Sequence, residues 1–361
     1  MGKQDQSAEK IARVRGRLLE WYERSRRDLP WRRNRDPYAI WVAEIMLQQT
    51  RVAVVVERYQ AFMARFPTLL SLALAPEQEV LAAWSGLGYY RRARMLHKTA
   101  QFVADHCQGN LPHTAAELRL LPGIGSYTAA AVASIAHGER VAVVDGNVER
   151  VLCRMEGWKA GSRAGGGSQV RRKIEALADE LVCPARPGDS NQALMELGAT
   201  LCSPRNPQCR LCPVADDCKT QGEHQTAPRP PMICREVAHA LSVRNGRQAG
   251  QSNHQVLLEQ RPATQTVMPG LWELPALIET AVPAEELRLT VRHSIMQVNY
   301  SVRIRTVFED DVDAMTVAGG ERRWVPLKDA AGMALTGLAR KVLTRLHLLD
   351  TIAPQAGDDV L

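Results

Sequence analysis

The sequence predicts a mainly helical N-terminal region followed by a smaller α+β domain. Through residues 1–220, apolar residues recur about every third or fourth position, which is the helical period. Beyond residue 232 they occur in short runs rich in β-branched residues, such as VAHALSV and VNYSVRIRTVF, which are typical of strands. The polar, proline-rich stretch TQGEHQTAPRPP between these regions is typical of a linker.

Length and charge limit the possible classes of protein. The 361 residues exceed one ordinary core and predict two or three domains. Lys and Arg total 46 against 39 Asp and Glu, which fits either an ordinary solvated surface or a polyanionic partner such as nucleic acid. No apolar run reaches the roughly 20 residues of a membrane helix, and MGKQDQSAEK lacks a signal-peptide core. We therefore expect a cytoplasmic protein without a membrane partner.

The helices are predicted from their start signals. Asp36 followed by Pro37 predicts a cap and first turn for the helix that contains YAIWVAEIML. Thr50 is the predicted cap of the next helix. Thr114 and Glu117 form a capping-box pattern before a short helix. A second helix, SYTAAAVASIA, follows it at once, so the pattern predicts two helices joined by a tight glycine hairpin.

The hairpin, in LPGIGSYTAAAV, contains Gly123 and Gly125. Glycines allow a sharp turn and a close approach of a ligand to backbone N–H groups. Such N–H groups at the start of a helix suit a phosphate. Taken alone, the hairpin indicates a DNA-backbone contact or a plain tight turn equally well.

A run of four cysteines has the spacing C-x6-C-x2-C-x5-C, at Cys202, Cys209, Cys212 and Cys218. Zinc ligands usually form two short pairs, whereas this run has one short pair between longer arms. The spacing therefore indicates a metal site or an iron–sulfur cluster. The remaining cysteines are predicted to be buried small hydrophobes: Cys107, Cys153, Cys183 and Cys234.

Two carboxyls are candidates for chemistry. Glu44 lies within the apolar run IWVAEIML, and such surroundings raise a carboxyl pKa and keep the group protonated near neutrality. A protonated carboxyl can act as a general acid, although a solvent-facing helix glutamate is the alternative. Asp145 follows the apolar run VAVV and opens a helix, which is an N-cap position.

Several motifs together resemble the endonuclease III superfamily of helix-hairpin-helix DNA glycosylases: LPGIGSYTA, VVDGNVERV and the cysteine spacing. WVAEIMLQQTRV, GLGYYRRA and PGLWELP are similar to its MutY family of adenine DNA glycosylases. The resemblance implies a catalytic region at 1–220, with a six-helix lobe at about 30–138 and a cluster lobe formed by 1–29 with 139–220. It further implies a linker at 221–234 and a Nudix-like lesion-recognition domain at 235–350.

The resemblance also implies an activity, namely base excision repair that removes adenine mispaired with 8-oxoguanine or guanine by hydrolysis of the N-glycosidic bond. Glu44 would protonate adenine, Asp145 would stabilise the sugar cation, and Asn147 would orient water or cap a helix. Tyr127 stands where strand-cleaving relatives carry a Schiff-base lysine, which implies a monofunctional enzyme that leaves an abasic site.

The resemblance assigns binding partners as well. It implies a [4Fe–4S] cluster on the four cysteines, double-stranded DNA containing mispaired adenine as partner, a monomer, and a bacterial nucleoid location. Gln48, Gln49 and Tyr89 are candidates for the wedge that fills the gap after base flipping. The full set of substrate- and DNA-binding candidates is Trp31, Arg32, Leu47, Gln48, Gln49, Tyr89, Gly123, Gly125, Gln192, Ser294 and Ile295.

The second domain departs from the family pattern. It lacks a G-x5-E…R-E-x-x-E-E run, so Nudix-type hydrolysis is not expected. In RHSIMQVNY, Ile295, Met296 and Gln297 stand where the family carries Phe-Ser-His. Ile295 can still wedge between bases, but Met296 has no hydroxyl to donate and accept hydrogen bonds. The preference between 8-oxoguanine:A and G:A therefore stays open.

Two further functions also stay open. The same scaffold could act on another mispaired base, such as thymine opposite guanine, although Glu44 and Gln192 suit a purine better. A non-enzymatic iron–sulfur DNA-binding protein would keep the hairpin and the cysteines but would have no use for Glu44.

Overall fold

The computed structural model describes residues 3–158, 167–224, 231–246, 253–295, 297–317 and 319–349. The chain divides into two compact units. The first contains Met1–Leu74 and Met95–Ala227, and the second contains Ala75–Arg94 and Pro228–Leu361. Residues 225–230 of the predicted linker, Met296, and residue 350 at the end of the predicted second domain lie outside the described residues.

The helices follow the predicted order along the chain. They are α1 (Lys3–Ser25), α2 (Pro37–Leu47), α3 (Val52–Arg65), α4 (Leu69–Ala73), α5 (Glu77–Ala83), α6 (Arg91–His106), α7 (Ala115–Leu118), α8 (Ser126–Ala136), α9 (Gly146–Glu156), α10 (Gly167–Leu181), α11 (Pro187–Thr200), α12 (Val312–Met315), α13 (Leu327–Ala330) and α14 (Gly337–Arg345). Among the described residues, no helix is long and apolar enough to cross a membrane.

Two predicted caps are confirmed. The carboxylate of Asp36 accepts a hydrogen bond from the backbone N–H of Tyr38 at the start of α2. Thr114 and Glu117 form the reciprocal capping box of α7. These side chains satisfy N–H groups that the first helical turn leaves without partners.

The predicted cap at Thr50 is wrong. The helix α3 begins one residue later than predicted, with Arg51 in the cap position and no side-chain hydrogen bond to the first turn. The Thr50 hydroxyl instead donates to the carbonyl of Gln48 at 3.4 Å. A threonine in a tight turn often bonds the local backbone in this way.

The helix α11 packs against α1, α8 and α9 within the first unit. A Cβ at Gly188 would lie 2.8 Å from the Cα of Ile135 on α8. A Cβ at Gly198 would lie 2.6 Å from the Cβ of Asn147 on α9. Side chains do not tolerate such distances, so both glycines are required for this close packing. The packing brings α11 beside the first turn of α9.

The second unit contains the strands, arranged in two sheets within its described residues. They are β1 (Ile233–Leu241), β2 (Val243–Gly246), β3 (Asn253–Gln260), β4 (Trp272–Glu273), β5 (Leu287–Ile295), β6 (Val298–Thr306) and β7 (Arg322–Pro326). In one sheet β6 lies between β1 and β5, parallel to β1 and antiparallel to β5. In the other, β3 pairs antiparallel with β2, β4 and β7.

Apolar side chains of both sheets and α14 form the core of this unit, including Val256, Leu258, Val302 and Val342. A mainly helical N-terminal region followed by a region with sheets and helices is thus confirmed. The segment that contains Ser294 and Ile295 ends β5, with Ile295 paired to Val298 of β6. The sequence analysis did not predict this strand, in which the less exposed residues alternate with exposed ones from Leu289 to Ile295.

Candidate active site

One cavity of the first unit, with a volume of about 610 Å³, contains most of the predicted substrate residues. The residues that line it come from α2, α3, α8, α9 and α11, from the segment before α2, and from the connection between α2 and α3. The predicted residues among them are Trp31, Arg32, Glu44, Leu47, Gln48, Gln49, Tyr127, Asp145, Asn147 and Gln192. Residues from five separate helices therefore meet at one place.

Glu44 lies in the last part of α2 and is only 4% exposed. The hydroxyl of Tyr127 donates a hydrogen bond to its Oε2 at 2.6 Å. Burial raises the pKa of Glu44 to about 7, and the negative charge of Asp145 acts in the same direction, while the Tyr127 hydrogen bond and the charge of Arg32 oppose it. The expectation of a buried carboxyl with a raised pKa is confirmed, and this group can hold a proton near neutrality.

Asp145 occupies the N-cap of α9, as predicted. Its Oδ1 accepts the N–H of Val148 at 2.7 Å, and its Oδ2 accepts Nδ2 of Asn147 at 2.9 Å. The guanidinium of Arg150 donates to Oδ1 of Asn147 at 2.8 Å. Because a guanidinium can only donate, Arg150 fixes the amide so that its NH₂ group faces Asp145. The carboxylate is therefore held from two sides.

Glu196 on α11 is a charged residue of this cavity that the sequence reasoning missed. It is 1% exposed, and Arg27 donates to both of its oxygens, at 2.7 and 2.8 Å. Arg32 donates to Oε2 at 2.8 Å. Burial alone would raise the pKa of Glu196, but these hydrogen bonds and charges outweigh it and lower the pKa to about 2. Glu196 lies four residues after Gln192, which places both residues on one helix face. This spacing was the sequence signal that Glu196 lines the same cavity.

The two hairpin glycines differ in their surroundings. Gly123 has a φ of +78°, and a Cβ there would lie 1.9 Å from Cγ of Met95. Gly125 has a φ of −85°, caps α8 without a side-chain hydrogen bond, and has open space where a Cβ would be. Gly123 is thus explained by the turn and by packing. Gly125 leaves the N–H groups at the start of α8 accessible to a ligand.

The remaining DNA-binding candidates lie in the second unit. Tyr89 is 52% exposed and has a φ of +47°, with the guanidinium of Arg92 5.5 Å from its ring. Ser294 is exposed and its hydroxyl donates to Asn299 at 2.6 Å across the β5–β6 hairpin. Ile295 is half-buried.

The four clustered cysteines line one small cavity of about 30 Å³ as free thiols. Arg154, which is 3% exposed, donates to Sγ of Cys202 at 3.3 Å and to the carbonyl of Ser203 at 2.7 Å. Among the described residues, no three ligating side chains are placed to hold one metal ion. The four thiols nevertheless form one donor set at this cavity, and thiolates are the ligands that hold iron–sulfur clusters.

The other cysteines differ from their prediction. Cys153 is fully buried, as expected, and burial raises the pKa of its thiol to about 11. Cys107 and Cys183 are only partly buried. Cys234 is exposed on β1, so the prediction that it is a buried hydrophobe is wrong. It lies in the outer part of its strand, where residues 233–236 are all exposed.

Comparison with known proteins identifies the family. Residues 42–180 match the HhH-GPD superfamily of base excision DNA repair proteins. A solved structure of a thermostable thymine-DNA glycosylase is 31% identical with a TM-score of 0.54, covering 60% of this chain and 98% of that chain. The chain belongs to the HhH-GPD superfamily. An endonuclease III trapped as a covalent intermediate with DNA is 22% identical with a TM-score of 0.50, which supports the fold of this HhH-GPD protein.

Curated relatives of this HhH-GPD protein share much of its sequence. The human adenine DNA glycosylase is 49% identical over 220 residues, which are 58% of this chain and 40% of the human protein. The Arabidopsis thaliana adenine DNA glycosylase is 39% identical over 314 residues, 75% of this chain and 48% of that protein. The chain thus spans less than half the length of these two relatives. The resemblance to the adenine glycosylases is confirmed.

Proposed function

We propose that this chain is a monofunctional DNA glycosylase that removes mispaired adenine by hydrolysing its N-glycosidic bond. The observation that carries the proposal is the group formed by Glu44, Tyr127 and Asp145, which line one cavity. Glu44 has a pKa of about 7, and Tyr127 donates a hydrogen bond to it. Breaking a glycosidic bond needs an acid for the leaving group and a carboxylate for the developing sugar cation. The similarity to adenine DNA glycosylases supports adenine as the base.

In the proposed reaction, protonated Glu44 donates its proton to a ring nitrogen of the flipped adenine. The bond between C1′ and N9 then breaks, and its electron pair leaves with the neutral base. Asp145, as a carboxylate, stabilises the positive sugar that remains. Water adds its hydroxyl to C1′ and gives its proton to the Glu44 carboxylate, which regenerates the acid. Asn147 keeps Asp145 in place through its 2.9 Å hydrogen bond.

Tyr127 decides the product. A phenol cannot form the Schiff base that strand cleavage by a lysine requires. Desolvation raises the pKa of Tyr127 well above its usual range, and the charge of Glu44 acts in the same direction, so its hydroxyl stays protonated and serves as a donor. We therefore propose that hydrolysis leaves an intact strand with an abasic site.

The walls of the cavity suit a purine. Its volume of about 610 Å³ lies within the roughly 300–1,000 Å³ of small-molecule sites. Trp31 and Leu47 supply apolar surface, and the Gln192 amide can pair with adenine because an amide matches the donor at N6 and the acceptor at N7. Both oxygens of Glu196 already accept from Arg27 and Arg32, so Glu196 holds these arginines at the wall.

The proposed partner is double-stranded DNA. Open space beside Gly125 lets a phosphate approach the start of α8. Gln48, Gln49 and Tyr89 are proposed to fill the gap that base flipping leaves. Ile295 is proposed to wedge beside the opposite base and Ser294 to contact it. We propose that the enzyme accepts guanine or 8-oxoguanine opposite adenine.

We further propose that the four clustered cysteines hold a [4Fe–4S] cluster. When bound, the cluster stabilises the loop at 202–218 and has no role in hydrolysis. Arg154 would support it by donating to Cys202 and to the carbonyl of Ser203. Iron and acid-labile sulfide in the purified chain would support this, and zinc alone would contradict it.

The experiment that tests the function is single-turnover cleavage of four duplexes, containing 8-oxoguanine:A, G:A, G:T or A:T. Each reaction is analysed with and without alkali. We expect adenine to be lost from the first two duplexes, with strand breaks that appear only after alkali. Breaks without alkali would contradict the role of Tyr127, and intact adenine in both duplexes would contradict the function.

Thymine excision is the second candidate function. The solved thymine-DNA glycosylase favours it, because that protein is 31% identical and this chain covers 98% of it. Loss of thymine from the G:T duplex, with both adenine duplexes intact, would establish this alternative.

A further inference from the structure

The second unit contains a short segment from the N-terminal half of the chain. Ala75–Arg94 groups with Pro228–Leu361 rather than with the helices on either side of it in sequence. This segment carries Tyr89, the candidate for filling the gap that base flipping leaves. Ser294 and Ile295, the candidates for contact with the opposite base, end β5 of the same unit. Both kinds of DNA contact therefore belong to one unit.

The backbone around Tyr89 adopts a conformation that needs support. Gly86, Gly88 and Tyr89 have φ values of +92°, +68° and +47°. The left-handed region is disfavoured for a tyrosine, so surrounding contacts must hold it there. The guanidinium of Arg92 donates to the carbonyl of Gly88 at 3.3 Å, which fixes the turn from one side. We call residues 86–90 the wedge turn.

Tyr90 connects the wedge turn to a distant part of the second unit. It is 4% exposed, and its hydroxyl donates to the backbone carbonyl of Leu335 at 3.1 Å. Gln78 makes a further connection, because its side-chain amide donates to the carbonyl of Gly270 at 3.3 Å. Only Tyr90 adjoins Tyr89 in sequence. Its hydrogen bond is therefore the contact that acts most directly on the backbone of Tyr89.

The carbonyl that accepts from Tyr90 belongs to a firmly held loop. Leu335 and Thr336 are fully buried. The backbone N–H of Thr336 donates to the carbonyl of Trp272 in β4 at 2.8 Å, and its hydroxyl donates to Oε2 of Glu273 at 2.6 Å. The same hydroxyl caps α14 by accepting the N–H of Ala339 at 3.1 Å. The loop is thus fixed to β4 and to α14 at once.

The helix α14 also supports the end of β5. A Cβ at Gly337, the first residue of α14, would lie 3.4 Å from Cε1 of His293. One turn later, Lys341 donates to the carbonyl of Arg292 at 2.7 Å. Ser294 follows these two β5 residues directly. A continuous series of packed and hydrogen-bonded contacts therefore runs from the wedge turn to the end of β5.

On the basis of the glycosylase function proposed above, we propose that Tyr90 is a positioning residue, whose hydrogen bond to Leu335 joins the wedge turn to the loop that supports the end of β5. Close-packed interiors transmit displacements rather than absorb them. The group that fills the gap and the groups that contact the opposite base are therefore held at a fixed spacing. An opposite base that fits against Ser294 and Ile295 places Tyr89 in the gap, and one that does not fit displaces it.

The first test is hydrogen exchange of the full chain without DNA. Tyr90→Phe keeps the buried ring and removes one hydrogen bond, so amides of the wedge turn and of residues 293–295 should exchange about 5-fold faster. Tyr38→Phe is the matched control, because it also loses a bond from a buried phenol to a backbone carbonyl, that of Phe66, and should leave both regions unchanged. Faster exchange confined to the wedge turn, or no change in either region, would overturn the proposal.

The second test measures single-turnover release of adenine from a G:A duplex. Tyr90→Phe should lower the native rate about 5-fold. It should lower the rate by less than about 2-fold in the Tyr89→Ala and Ile295→Ala backgrounds, because it acts through these residues. An equal loss in all three backgrounds is the pattern of a merely structural role and would contradict the proposal; any loss caused by Tyr38→Phe should follow that pattern.

The two tests separate this inference from the function on which it rests. Absence of adenine release from the native protein would refute the glycosylase function. The exchange test, which uses no DNA, would still decide whether Tyr90 joins the wedge turn to the end of β5.

Discussion

The α2 wall and the α11 wall of the base cavity each carry one buried glutamate, and the two behave in opposite ways. Glu44 is 4% exposed and Glu196 is 1% exposed, so burial opposes the charged form of both. Burial raises the pKa of Glu44 to about 7, because the hydrogen bond from the neutral hydroxyl of Tyr127 does not offset it. Glu196 accepts from two guanidinium groups, and its pKa falls to about 2. The charge of the partner, rather than the depth of burial, decides which carboxyl keeps a proton.

This difference assigns the two residues to different tasks. A carboxyl with a pKa near 7 can deliver a proton at neutral pH. A carboxylate that stays ionised and binds Arg27 and Arg32 can hold the shape of the wall but cannot act as an acid.

The largest effect is expected for Glu44→Gln, which keeps the side-chain volume but removes the proton. Loss of a general acid typically costs about 10²–10⁴-fold in rate, and single-turnover adenine release on G:A duplex would measure it. Glu57→Gln, on an exposed position of α3, is the matched control and should be unaffected. A Glu44→Gln enzyme within about two-fold of the native rate would assign the acid elsewhere.

The two glutamates should also respond to substitution with opposite changes in stability at pH 8. The raised pKa of Glu44 means that stability falls as pH rises from about 4.5 to 7, so Glu44→Gln should raise the free energy of unfolding at pH 8 by about 3 kcal/mol. The lowered pKa of Glu196 means that its ionised form stabilises the fold above about pH 4.5, and this stabilisation is lost as pH falls toward 2. Glu196→Gln should therefore lower the free energy of unfolding at pH 8 by about 3 kcal/mol.

Urea unfolding at pH 8 and pH 5 measures both differences, and the gain from Glu44→Gln should shrink at the lower pH. Glu175→Gln is the control, since Glu175 belongs to an exposed pair with Arg171 and should change stability little. Two variants that both destabilise at pH 8 would contradict the comparison.

The smallest effect concerns the pH dependence of Tyr127→Phe. The native rate should fall as pH rises through about 7, because Glu44 then loses its proton. The Tyr127 hydrogen bond lowers the pKa of Glu44, so its removal should move this fall to higher pH. Single-turnover rates across pH 5–9 (a range of about four units around the Glu44 pKa) would show the shift.

Tyr38→Phe serves as the control for this profile. It also loses a buried hydrogen bond of α2, to the carbonyl of Phe66, but it does not contact Glu44. An unshifted or opposite profile for Tyr127→Phe, compared with Tyr38→Phe, would mean that the phenol does not act on the acid.

The sequence alone determined the local features of the protein. Caps at Asp36, Thr114 and Asp145 depend on residues two or three positions apart, and the apolar run around Glu44 predicts its burial. The cysteine spacing predicts that these side chains meet, since the segment is short.

The tertiary structure decided which partner each buried group has. Tyr127 lies 83 residues from Glu44, and Arg27 lies 169 residues from Glu196. Periodicity along a chain predicts that a side chain points inward, but it carries no information on what the side chain meets there. The partners come from the packing of α2 against α8 and of α11 against its neighbouring helices. Glu44 and Glu196 are both buried on helices. Only the packing of those helices decides that one of them can donate a proton and that the other stays ionised.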